Sequence, residues 1–211
     1  MISFLLKKIT SLIITLLVST GVIFILIEVV PGDPVAFMMG LSGSTDAADA
    51  LRLELGLNVG PWDRYFDWVS GMVNGNFGIS YTYRVPVVEL IRERALVSVP
   101  LTIYALLLST VIAIPAGLIS ATRRGSLVDT SFMGFAQLGV AIPNFWFAIL
   151  LVLFFSTTLK LFSASGFPGW GAGFFICLKA LTLPAIYLAL PQAAILSRVM
   201  RSSVLDVMNE D

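Results

Sequence analysis

The chain has 211 residues, 57% hydrophobic and only 12% charged, where soluble domains carry about a quarter charged residues. Its formal net charge is zero, so no global basic field recruits nucleic acid. The absence of histidine and the single cysteine, Cys177, exclude an internal disulfide framework, histidine metal sites and histidine proton relays. A mean hydropathy of +0.93 agrees with an integral membrane protein.

A bilayer core about 30 Å thick needs about 20 apolar residues per spanning helix. The first segment of that kind is Ile9 to Ile27, preceded by Lys7 and Lys8. It is longer than the apolar body of about 7–15 residues found in secretory signals, and no A-x-A site follows, so it predicts an uncleaved helix. Glu28 stands at its outer end, within reach of the headgroups.

The loop over residues 31–98 carries five Arg against eight acids, net −3, and holds two helix signals. In TDAADALRLELG, Thr45 or Asp46 caps a helix that Gly56 ends. In GPWDRYFDWVSGMVNG, Pro61 suits a first helical position, where its missing N–H costs nothing. Trp62, Tyr65, Phe66, Val69, Met72 and Val73 then share one apolar face, with Asp63, Arg64 and Asp67 off it. Such a helix suits the outer interface, a docking surface for an extracytoplasmic partner, or packing against the ends of the spans.

A second span is predicted over Val99 to Ala121, a third over about Phe132 to Leu159 and a fourth over about Leu178 to Leu196. Lys7, Lys8, Arg123, Arg124, Arg198 and Arg201 then fall on one side, which the charge bias of short loops makes the cytoplasmic one, with both termini inside. Pro115, Pro143, Pro184 and Pro191 lie in or at the edges of the spans, where they bend helices by removing a backbone donor; they are candidate hinges. Gln137, Asn144 and Gln192 are the notable polar residues of the spans, fit either to bind another helix or to line a solute path. The spans hold no paired carboxylates, the chain has no G-x-x-x-x-G-K-[ST] loop, and a nucleophile at Ser163 or Ser165 would have only Lys179 nearby as a base. An intramembrane enzyme is therefore poorly supported.

Together these pieces resemble the inner-membrane permease subunit of the bacterial dipeptide, oligopeptide and nickel ABC importers. Pro31-Gly32-Asp33-Pro34 follows the first span, as in that family. LGLNVGPWDRYFDWVSGMVNGNFGISYTYRVPVVELIRER resembles the family's outer loop. IPAGLISATRRGSLVD, GVAIPNFW, SASGF, LTLPA and SRVMRSSVLDVMNED follow in the family's order. One departure lies at Ala95 to Val99, where the family has a Leu-Pro pair soon after the Arg; it implies a local change at the start of the second span.

The resemblance implies an all-α polytopic membrane bundle of the type I ABC importer permease fold, here the N-terminal four of six spans. Residues 1–30 would be the cytoplasmic tail and first span, 31–98 the extracytoplasmic loop, 99–197 spans two to four, and 198–211 the start of the cytoplasmic coupling segment. It implies an ATP-driven importer for peptides or a related small solute such as nickel. The partners would be a second permease, two ATP-binding subunits and an extracytoplasmic solute-binding protein. The chain itself would hydrolyse nothing and hold no cofactor. Arg198, Arg201, Glu210 and Asp211 would form the ATPase-side segment, which ends where the family's coupling loop begins. A truncated membrane protein that binds partners without transporting is the alternative reading.

Overall fold

The computed structural model describes residues 2–29, 34–39, 45–164 and 166–209. Pro31, Gly32 and Asp33 of the resemblance, Ser165, and the predicted ATPase-side residues Glu210 and Asp211 lie outside the described residues. Among the described residues the structure is helical apart from turns and one isolated antiparallel bridge, Ile79 with Pro86. The chain divides into two compact units, Met1–Glu93 and Arg94–Asp211.

In the first unit α1 (Ile2–Val29) is a 28-residue helix whose apolar side chains are largely exposed, as befits a span that meets lipid or a partner. The short α2 (Pro34–Met39) buries Val35 and Met38. Helix α3 (Thr45–Glu54) starts at the predicted cap and ends at Gly56, whose φ of +65° only glycine adopts without strain. There Leu57 N–H donates to the Arg52 carbonyl at 2.9 Å and Gly56 N–H to the Leu53 carbonyl at 3.1 Å, the bond pair of a Schellman end. Helix α4 (Pro61–Val73) begins with the predicted proline and closes with the same bond pattern, Asn76 N–H to the Gly71 carbonyl at 2.8 Å and Gly75 N–H to Met72 at 3.1 Å.

Helix α4 packs on α1. The Tyr65 ring meets Phe24 edge-on at 5.4 Å, and Trp68 lies 6.3 Å from the same ring. The Tyr65 hydroxyl is 3.1 Å from the Thr20 hydroxyl and donates to the Leu17 carbonyl at 3.3 Å. Arg64 donates to Glu28. Glu28 is thus an ion-pair partner as well as an end residue.

Helix α5 (Val87–Thr122) starts eleven residues ahead of the predicted boundary at 98 and runs unbroken through Pro100 and Pro115. At about 1.5 Å per residue it is about 54 Å long, more than a hydrocarbon core requires. In the second unit α6 (Leu127–Ala141) and α7 (Asn144–Leu151) follow, α7 continuing as a π-helical stretch over Val152–Thr158. The third predicted span is therefore not one straight helix. Its two arms meet at 101°. Pro143 has no N–H to continue α6, and the residue before it is pushed into the extended region, as Ile142 is at φ −80°, ψ 126°.

Helix α8 (Phe174–Met208) is continuous through Pro184, Pro191, Arg198 and Arg201. The residues from 198 on, expected to open the cytoplasmic coupling segment, continue the same helix as far as Met208. Among the described residues three helices, α1, α5 and α8, are long and apolar enough to cross a membrane, and four if the bent pair is one span.

Candidate functional site

The second unit is organised by small residues recurring every fourth position. In α5 these are Ala105, Ser109, Ala113, Gly117 and Ala121, and in α8 Ala185, Ala189, Ala193 and Ser197, all buried. Lipid is as apolar as leucine, so helices in a bilayer associate by close backbone approach rather than by hiding apolar surface. Gly117 marks the closest approach. A Cβ there would sit 2.7 Å from Met200 Cβ and 2.8 Å from the Ser197 carbonyl oxygen. Toward the other end Ala105 packs with Ala185 and Ala189, and the Tyr104 and Thr182 hydroxyls are 3.4 Å apart. Residue numbers rise together on both helices, so α5 and α8 run parallel. The bent α6–α7 segment must then make the return crossing between them.

One end of this packing is clamped by charge. Arg201 donates twice to Asp129, from Nε to Oδ1 and from Nη2 to Oδ2, each at 2.7 Å. The Asp129 side chain is 7% exposed and that of Arg201 25%. The Gly125 N–H donates to Asp129 Oδ2 at 3.0 Å, and the buried Ser120 faces the same carboxylate. Asp129 lies in the first turn of α6, where a negative charge also meets the helix dipole favourably. Its own N–H donates at 3.3 Å to Ser126, the N-cap of α6. The pair therefore joins three pieces: the turn after α5, the start of α6 and the last turns of α8.

Between this clamp and the bend is a cavity of about 360 Å³ with an almost wholly apolar lining. Phe132, Phe135 and Gly139 of α6, Phe147 of α7, Ile112 of α5 and Pro191 of α8 contribute to it. At the other end, the Trp170 indole N–H donates to the Leu96 carbonyl at 2.8 Å. That carbonyl is the one that Pro100, lacking an N–H, leaves without its helical partner. The loop before α8 thus satisfies a group freed by a proline in α5.

The structure places the predicted site residues unequally. Gln137 is exposed on α6 and accepts from Arg198 Nη1 at 3.4 Å. Asn144 is exposed at the first position of α7, and Gln192 is exposed on α8. None of the three lines the apolar cavity. Pro143 sits at the 101° break, whereas Pro115, Pro184 and Pro191 lie inside unbroken helices. Arg201 is held by Asp129, a residue that sequence reasoning did not single out. Its signal was a lone acid beside Arg123 and Arg124, at the edge of an apolar segment.

Comparison with known proteins covers both halves of the chain. The family described as "Binding-protein-dependent transport system inner membrane component" matches residues 113–211. The one described as "Binding-prot-dependent transport system membrane comp, N-term" matches residues 1–103. A permease protein of Brucella abortus (strain 2308), whose name assigns it to a peptide transport system, is 34% identical over all of this chain and 67% of its own length. The dipeptide transport system permease protein DppB of Escherichia coli (strain K12) is 31% identical over all of this chain and 69% of its own. The chain thus spans about two thirds of the length of these relatives.

Proposed function

The chain belongs to the family of inner-membrane components of binding-protein-dependent transport systems, and from that premise we propose that it carries peptides, or a related small solute, across the membrane with a second permease. It is a multi-pass permease subunit of the inner membrane, not an enzyme; ATP hydrolysis lies on separate subunits. The observation that carries the solute class is the match over the whole chain to permeases named for peptides and dipeptides.

The finer reading follows from charge and exposure. Lys7, Lys8, Arg123, Arg124, Arg198 and Arg201 mark the cytoplasmic side, with both termini inside and α4 outside. The end of α8, from Arg198 onward, faces the ATP-binding subunits. Gln137, Asn144 and Gln192 are exposed polar groups on predominantly apolar helices, which suits a path completed by the second permease. The break at Pro143 lets α6 and α7 move separately, and Pro115, Pro184 and Pro191 are sites of smaller bends. The Asp129–Arg201 clamp passes movement of α8 to α6. A solute-binding protein and two ATP-binding subunits complete the assembly.

The test is uptake of labelled dialanine into cells carrying the complete transport operon, compared with cells lacking this gene, together with co-purification of an ATP-binding subunit. Loss of uptake and recovery of the ATPase are expected. Unchanged uptake of dialanine and of a longer peptide would remove the peptide reading, and failure to recover any ATPase would remove the importer reading. Orientation has its own readout. A cysteine at Asp63 is expected to react with an impermeant thiol reagent outside spheroplasts and one at Gly125 not to; the reverse inverts the topology.

A further inference from the structure

The contacts of α4 assign a direction to each of its sides, with α1 as the ruler. Tyr65 reaches back to Thr20 and Leu17, toward the middle of α1, while the adjacent Arg64 reaches forward to Glu28 at its end. Neighbouring residues reaching opposite ways means that α4 crosses α1 rather than running along it. The crossing centres on Phe24, which Tyr65 and Trp68 both touch. At about 1.5 Å per residue, that lies about 6 Å inside the level of Glu28.

Around α4, at about 100° per residue, Trp62, Phe66 and Val73 fall within about 40° of one another. They form one stripe, exposed by 74%, 65% and 84%. Asp63, Asp67 and Ser70 occupy a different side, and all three are exposed. The stripe adjoins the Tyr65 edge of the helix, the edge that points to the middle of α1. The acidic side adjoins the Arg64 edge, the one that points to Glu28.

We infer that α4 lies in the plane of the membrane, with Trp62, Phe66 and Val73 seated among the acyl chains of the leaflet at the Glu28 end of α1. An amphipathic helix in the interface buries its apolar face by about 5–10 Å, which matches the depth of the crossing. Tryptophan is favoured at that level. The stripe is also continuous with lipid-facing surface: Val22, Ile25 and Leu26 of α1 are exposed apolar residues at the same depth. A protein partner outside the membrane would have to reach beneath the headgroups to cover it. The inference rests on α1 crossing a bilayer and not on the identity of the solute.

The test uses the full chain in phosphatidylcholine vesicles, with Trp68, Trp146 and Trp170 replaced by Phe so that Trp62 reports alone. Brominated acyl chains are expected to quench Trp62 emission at least about twofold, while aqueous iodide leaves it nearly unchanged. A companion chain with Trp62→Phe and Asp63→Trp as its sole tryptophan is expected to show the reverse. Quenching of Trp62 by iodide but not by bromine would overturn the inference in favour of a water-facing stripe. Protection from both quenchers would overturn it in favour of a protein partner. If the tryptophan replacements prevent folding, a nitroxide on Phe66→Cys in a Cys177→Ala chain decides the same point. Greater access to oxygen than to a nickel chelate supports the leaflet, and the opposite order refutes it.

Discussion

The crossing of α1 by α4 is made of large side chains and single polar links: Phe24, Tyr65, Trp68, one hydroxyl pair and the Arg64–Glu28 contact. The parallel packing of α5 on α8 is made of Ala, Ser and Gly at every fourth residue. The difference follows from the solvent. Near the membrane surface an aromatic ring contributes contact area while its hydroxyl or indole N–H keeps a polar partner. Between two spans packed along their length an extra apolar atom gains little over lipid, so small residues that bring backbones together have the advantage.

The sharpest way to break this contrast is to add one carbon atom to each crossing. Gly117→Ala puts its Cβ within 2.7 Å of Met200 and 2.8 Å of the Ser197 carbonyl, and backbone cannot step aside as a side-chain tip can. Overpacking of this kind costs about 1–3 kcal/mol or more, so a large fall in the melting midpoint of the detergent-purified chain is expected. At Gly21 the new atom would find only the Tyr65 hydroxyl, 3.9 Å away. Gly21→Ala is expected to be nearly neutral, within about 0.5 kcal/mol. Equal effects at the two sites would refute the contrast.

Next in size is the clamp. Asp129→Asn removes the charge that Arg201 faces and keeps an acceptor for Gly125. A lower melting midpoint and faster proteolysis after α5 are expected. Exchanging the two residues should recover part of the loss, and only part, because an arginine in the first turn of α6 opposes the helix dipole. No recovery in the exchanged chain would mean that Asp129 acts through Gly125 and the helix cap alone.

How far this was legible in the sequence depends on the range of each interaction. The spans follow from hydropathy, the end of α3 from Gly56 and the start of α4 from Pro61, because those signals are local. The row of small residues in α5 was also present as a pattern, Ala105 to Ala121 in steps of four, yet pattern alone does not say which helix it meets. The Asp129–Arg201 pair joins residues 72 apart, and the charge pattern singled out only Arg201 of the two. Pro143 could be read as a bend, but prolines of the same kind at 115, 184 and 191 leave their helices whole. What separates them is the residue before each proline, extended at Ile142 and helical before the other three, which the sequence pattern does not distinguish.

A third effect tests whether a proline and a tryptophan form one unit. Trp170→Phe leaves the Leu96 carbonyl without a donor and is expected to cost about 1 kcal/mol. Replacing Pro100 with Ala restores a backbone N–H for that carbonyl. In the Pro100→Ala background the Trp170→Phe change is therefore expected to cost much less. Additive effects in this double-mutant cycle would show that the indole acts by packing on Phe167, its neighbour at 5.2 Å, rather than by its hydrogen bond.

The smallest expected effect returns to the aromatic crossing. Thr20→Val keeps the shape of the side chain and removes the hydroxyl paired with Tyr65 at 3.1 Å. The Tyr65 hydroxyl still has the Leu17 carbonyl at 3.3 Å, so no buried donor is stranded. The loss should stay near 0.5 kcal/mol, the lower end of the range of about 0.5–1.5 kcal/mol for a net hydrogen bond. Tyr65→Phe removes both bonds but keeps the ring against Phe24. It is expected to cost more than Thr20→Val and less than Tyr65→Ala, which removes the ring as well. If Tyr65→Phe matched Tyr65→Ala instead, the polar links rather than the aromatic area would hold α4 to α1, and the contrast between the two crossings would lie in hydrogen bonding rather than in side-chain size.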